Sequence, residues 1–359
     1  MAQRSHFAAL DGIRGIAAIS VVLFHLGHWL NVPALATNSG LAVDLFFCLS
    51  GYVLCVAYQD RLAQGMPALK FVRIRLIRLW PLIALGTVIS FVFVVSRLAV
   101  KQQALGWDVL VLAPVLGTLS LPFFNAPKMI GGPQVFPLNG PQYTLFLELL
   151  VNLAWAVQRR SKQGWMTALL VVSALAGILI FGLGGDQTSN FWSGIPRVFG
   201  SYFLGVTIYF VQRRVMTTSQ NGLFYLGVLL MLILFYIPVV LPLYISMVWI
   251  AGIAPVLVFT GARATLPAHW SAAALLGGRL SYPIYALHYP IFCWVNGTFQ
   301  TVFKHRNVAL EIPICFVAIV LGSYIALVVF DEPIRRFLTR SRNGGDPAPE
   351  AAAATGQTG

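Results

Sequence analysis

Eleven apolar runs, each close to the length that crosses a bilayer, limit what this chain can fold into. They lie near 8–28, 41–58, 81–98, 107–124, 143–157, 165–183, 196–212, 222–240, 242–260, 280–297 and 308–330. About 20 apolar residues cross the hydrocarbon as a helix, and backbone in lipid must satisfy its own N–H and C=O groups. The expectation is an all-α, polytopic membrane bundle. Composition agrees, since 58% of the 359 residues are hydrophobic and only 10% are charged, outside the range of soluble domains. The first run is too long and too charged for a cleaved signal peptide and is expected to stay in the mature protein. No repeat of fixed period appears, nor a soluble domain of 50 residues or more.

The net charge of +13 could point to nucleic acid, but Lys and Arg are gathered in short segments between the apolar runs. That is positive-inside topology. If all eleven runs cross from a cytoplasmic N-terminus, Arg159, Arg160, Lys162, Arg213 and Arg214 fall outside. Run 107–124 is interrupted by Pro114, Gly117 and Pro122, which suits a re-entrant or shallow segment. Ten crossings then place those residues in the cytoplasm, together with Arg61, Lys70, Arg73, Arg75 and Arg78, Arg263 and Arg279, and Arg335, Arg336, Arg340 and Arg342. Lys304, His305 and Arg306 stay outside as an exception. Residues 1–340 read as one membrane domain, and the Pro/Gly-rich stretch 341–359 as a disordered cytoplasmic tail. Cys48, Cys55, Cys293 and Cys315 lie inside apolar runs with no metal-ligand spacing, so no metal is expected.

Charges inside the spans carry the functional signal, because an ionisable group in hydrocarbon costs at least a few kcal/mol. Arg14 and His25 are eleven residues apart, close to three helical turns, so they share one face and stand roughly 16 Å apart along the axis. Snorkelling and a core histidine are the bland alternatives. Asp44, in GLAVDLFFCLSGY, needs a cationic partner, for which His25 is the natural candidate, although a first-turn helix acid would look the same. Ser50 and Gly51 suit a close helix contact. Arg75 and Arg78 share a helix face with Arg73 beside them, and guanidinium forks suit phosphate; lipid anchoring is the rival reading. Glu148 also wants a partner, Arg14 being one choice. Ser281, Tyr282, Tyr285 and His288 occupy successive turns and would line a substrate passage, or else form an interfacial belt.

Taken in order, these elements resemble the membrane acyltransferase 3 family. LDGIRGIAAISVVLFH matches its opening with Arg-x10-His, GLAVDLFFCLSG its second element, and Arg75, Arg78 and Pro81 its paired arginines before proline. YTLFLE is similar to its WSLxxE element, with Tyr143 for Trp and Thr144 for Ser but Glu148 kept. SYPIYALH and DEPIRRF look like its closing elements, and the likeness runs from about residue 7 to 338. The resemblance implies acyl transfer, usually of acetyl, from cytoplasmic acyl-CoA to a hydroxyl of an extracytoplasmic carbohydrate such as an exopolysaccharide or lipopolysaccharide, in the bacterial inner membrane. On this reading His25, Asp44 and Arg14 are catalytic and Arg73, Arg75, Arg78 and Arg14 bind acetyl-CoA. Glu148, Tyr282, Tyr285 and His288 bind the substrate. A transporter or flippase would also place charges in interrupted helices, and a haem protein would pair His25 or His28 with His288.

Overall fold

The structure, a computed structural model, describes residues 7–158, 164–215, 220–303 and 307–340. The basic segment at Arg159, Arg160 and Lys162, the outer residues Lys304, His305 and Arg306, and the tail 341–359 lie outside the described residues. Each of the eleven apolar runs contains a helix. In chain order these are α1 (Ala8–Trp29), α2 (Ala42–Ala63), α3 (Ala68–Val100), α4 (Trp107–Thr118) and α5 (Gln142–Gln158). There follow α6 (Gly164–Phe181), α7 (Gly194–Arg214), α8 (Asn221–Tyr236), α9 (Leu243–Gly261), α10 (Ala268–Val302) and α11 (Val308–Thr339). Six of them, α1, α2, α3, α7, α9 and α11, are long and apolar enough to cross a membrane. No strand occurs among the described residues.

Several helices outrun their apolar stretches. α3 begins at Ala68, thirteen residues before run 81–98, because the arginine-rich segment continues the same helix beyond the apolar stretch. α4 is the opposite case. It ends at Thr118 after 12 residues, which rise about 18 Å against the roughly 30 Å of a hydrocarbon core. The chain then turns into a long connection reaching α5.

Large apolar side chains on the outer faces, among them Val88, Val92, Leu229, Ile233, Val317, Leu321 and Ile325, are exposed, as lipid-facing residues are. Inside the bundle, α1 packs chiefly along α10 and α2 along α7. Small residues set both crossings. A Cβ on Gly51 would overlap the carbonyl oxygen of Tyr202, and one on Gly205 that of Cys48, so the α2 and α7 backbones touch there. The close contact expected at Gly51 is therefore present.

Proline does positional work in α10. Pro290 has no N–H, which releases the carbonyl of Ala286 from the helix ladder. Asn139 Nδ2, on the connection before α5, donates to that carbonyl at 2.9 Å, tying the connection to the helix that carries His288.

Candidate functional site

α1 carries Arg14 and His25 on one face, as their spacing requires, with His25 against α10. The His25 ring stacks on Trp29 at 4.9 Å between centroids and meets the His288 ring at 5.1 Å, tilted by 30°. Trp29 also lies over His288 at 5.8 Å. His288 is fully buried, and its Nδ1 sits 2.8 Å from the Tyr285 carbonyl and 3.2 Å from that of Ile284. A carbonyl can only accept, so Nδ1 carries the proton and Nε2 is left as an acceptor. Nε2 is buried and has no hydrogen-bond partner among the described residues. Two imidazoles tilted face to face at this separation do not reach an iron from opposite sides, which removes the paired-haem-ligand geometry for His25 with His288. His28 is exposed.

Asp44 is not paired with His25. Its carboxylate, 1% exposed, receives Arg197 Nε at 3.0 and 3.2 Å and Nη2 at 2.7 Å, and Ser201 Oγ donates to it at 3.1 Å. Arg197 Nη2 also donates to the Gly40 carbonyl at 2.9 Å. A forked guanidinium satisfies a buried carboxylate better than one imidazole nitrogen can, and it wins the partner. The sequence did carry a signal for it: Arg197 is a charged residue inside run 196–212, the same feature that marked Arg14.

Glu148 likewise has a different partner from Arg14. Arg75 Nη2 donates to its Oε1 at 3.0 Å, and Ser50 Oγ to the same oxygen at 2.7 Å. Arg75 is buried, whereas Arg73 is exposed on the other side of α3. The three arginines therefore do not form one patch. Arg14 pairs with Asp11 at 3.2 Å and lies within electrostatic range of Arg78, Glu148 and Arg75. One turn beyond Glu148, Asn152 is fully buried with neither side-chain atom partnered among the described residues; the same holds for the hydroxyl of Tyr202, which faces the Arg75–Glu148 pair electrostatically. Neither residue stood out in sequence, because neither breaks an apolar pattern by charge.

The α10 stripe is divided between two neighbours. Tyr282 Oη donates to the Leu79 carbonyl on α3, near the arginines. Tyr285 Oη shares a hydrogen bond of 2.7 Å with Thr144, so the hydroxyl that stands where the family element has serine links α5 to α10. The interior thus holds two polar regions: Arg14, Arg75, Arg78, Glu148 and Tyr282, from α1, α3, α5 and α10, toward one end, and His25, Trp29 and His288, from α1 and α10, toward the other. No group of three or more His, Cys, Asp or Glu able to hold a metal occurs among the described residues.

Comparisons with known proteins bear on the family of the chain. The acyltransferase 3 family, described as an acyltransferase domain, matches residues 7–328. A Rhizobium radiobacter protein, protein 2 in the picA locus, is 32% identical over 185 residues, 48% of this chain and 92% of that protein. A Staphylococcus aureus protein named provisionally as an O-acetyltransferase is 26% identical over 337 residues, 81% of this chain and 51% of that protein. The chain thus spans about half the length of the staphylococcal relatives it matches. No solved structure matches it. With the opening Arg14 and His25, the Asp44 element, the arginines of α3 and the α10 stripe all falling inside residues 7–328, this chain belongs to the acyltransferase 3 family of membrane acyltransferases.

Proposed function

We propose that the chain transfers an acyl group, acetyl in the first instance, from acyl-CoA in the cytoplasm to a hydroxyl of a carbohydrate on the far side of a bacterial inner membrane. The observation that carries this reading is the single interior face on which Arg14 and His25 stand, with His25 against His288 and Arg14 beside the arginines of α3. The N-terminus and the C-terminal end of α11 face the cytoplasm in this scheme.

The donor's phosphates meet Arg78 at the mouth. Its acyl arm passes Arg75, Glu148 and Arg14 toward His25. His25 takes the proton of the acceptor hydroxyl as that oxygen attacks the thioester carbonyl. The tetrahedral adduct collapses with loss of the CoA thiolate, and the proton held on His25 passes to sulfur. His288 Nε2, able only to accept, holds a neighbouring hydroxyl of the acceptor. Arg14 supplies positive charge toward the developing oxyanion. Asp44 enters through Arg197, by fixing α2 against α7 beside this space, rather than by orienting His25.

The test is vectorial. Protein in sealed liposomes receives acetyl-CoA on one side and a soluble polysaccharide on the other, and ester-linked acetyl on the glycan is read by mass spectrometry. Ester is expected only when acetyl-CoA is on the arginine-bearing side. Absence of ester in both arrangements would remove the proposal.

A further inference from the structure

At the end of α3 remote from Arg75, a cavity of about 80 Å³ lies between α3, the connection after α4, and α10. Arg97 stands 22 residues beyond Arg75 on one helix, a rise of about 33 Å, so the cavity is on the opposite side of the hydrocarbon from the arginine mouth. It has room for several waters or one small charged group. Its polar lining is Arg97, Lys128, Ser90 and Tyr289, and no acidic residue lines it among the described residues.

Arg97 is held in place. One Nη2 donates to the Met129 carbonyl, and the guanidinium carbon sits 5.9 Å from the centre of the Phe93 ring. A guanidinium has five N–H donors, and this contact uses one. The Ser90 hydroxyl is buried and has no partner among the described residues. Two cations without an opposing carboxylate, around a polar buried hydroxyl, form an electrostatic site for an anion. The cavity is linked to the histidines through two aromatic rings. Tyr289 meets Trp29 edge to face at 5.1 Å, and Trp29 is the ring stacked on His25.

We propose that this cavity binds the acceptor through an anionic substituent, a carboxylate or phosphate on the sugar, paired with Arg97 and Lys128 and hydrogen-bonded by Ser90. The inference rests on the acyl-transfer reading for the acceptor's role, and not for the anion site itself. It makes the acceptor an acidic glycan and sets the register in which its hydroxyl reaches His25.

Glucose, glucuronic acid and glucose 6-phosphate serve as probe acceptors with purified full-length protein and acetyl-CoA. Charge-assisted pairing predicts at least about tenfold higher kcat/KM for the two charged sugars, carried by KM. In Arg97→Gln and in Lys128→Gln that preference should fall to about threefold or less; Lys128 is exposed, so its variant tests the idea without threatening folding. Equal use of the three sugars by the wild type, or a preference that survives in both variants, overturns the proposal. Binding of glucuronic acid and glucose 6-phosphate without donor separates it from the acyl-transfer reading: binding that weakens tenfold in the variants supports the anion site even if no sugar is acylated. Binding of phosphatidylglycerol that depends on Arg97 and Lys128, with no binding of either acidic sugar, would make the cavity a lipid headgroup site and overturn the proposal.

Discussion

Arg197 grips Asp44 with two guanidinium nitrogens, the shortest contact being 2.7 Å, across 153 residues of sequence and the α2–α7 crossing. Both side chains are nearly excluded from solvent, so neither can be removed alone without stranding the other charge. Neighbouring Gly51 and Gly205 let the backbones meet, and the ion pair fixes the rotation of α7 against α2. The pair thus belongs to the scaffold that sets α2 against α7.

Arg197→Gln should therefore lower thermal stability in detergent by roughly 3 kcal/mol and reduce membrane abundance, since breaking a buried pair costs about 3–5 kcal/mol. Asp44→Asn combined with Arg197→Gln should recover part of that loss, because neither partner is then a stranded charge. Melting curves of the single and double variants decide it. A single variant as stable as the wild type would show that the pair has no structural role.

Gly51→Val places its side chain where the Tyr202 carbonyl lies, so α2 and α7 must separate. The expected outcome is a strong drop in folded protein, with Ser50 drawn away from Glu148 as α2 shifts. Measured yield and melting temperature should both fall, whereas Gly222→Ala, where a Cβ meets nothing within 4 Å, should change neither. Equal behaviour of the two variants would contradict the crossing described.

The donor-side prediction separates Arg75 from Arg78. Arg75→Lys should weaken acetyl-CoA binding and also lower the melting temperature, because its guanidinium holds Glu148 in a buried pair that a lysine ammonium matches poorly. Arg78→Lys should weaken acetyl-CoA binding by about tenfold, since charge is kept but the phosphate-matching fork is lost. Titration of acetyl-CoA into both purified variants with unchanged affinity would remove both arginines from donor binding.

Much of this arrangement is legible in the sequence. Hydrophobic runs located all eleven helices because apolar length is local information, and the eleven-residue spacing put Arg14 and His25 on one face because helical periodicity is local too. Proline and glycine within run 107–124 suit a re-entrant or shallow segment, and the helix found there, α4, has only 12 residues. Pairing was not legible. Asp44 could have met any cation in the bundle, and which one it meets depends on how α2 crosses α7, a contact between residues far apart in sequence. The same holds for Glu148, which meets Arg75 from α3 rather than Arg14 from α1. Arg73 shows the limit of reading clusters by composition: two residues from Arg75 on a helix is about 200° around the axis, and the structure leaves it exposed.

The histidines give the sharpest prediction. If His25 is the general base, His25→Ala should cut acyl transfer by about 100-fold or more while membrane abundance stays near normal, because proton transfer of this kind contributes 10²- to 10⁴-fold. A purely structural His25 would lose stability first and activity in proportion. His288→Ala should also lower transfer, chiefly through the acceptor KM, since its Nε2 accepts a hydrogen bond and does not take the reacting proton. His28, exposed and off the stripe, supplies the comparison, and His28→Ala should keep most activity. Rates and membrane abundance measured side by side for the three variants distinguish these roles. Full activity in a well-expressed His25→Ala protein would remove the base from the mechanism and leave the contact between His25 and His288 as aromatic packing beneath Trp29.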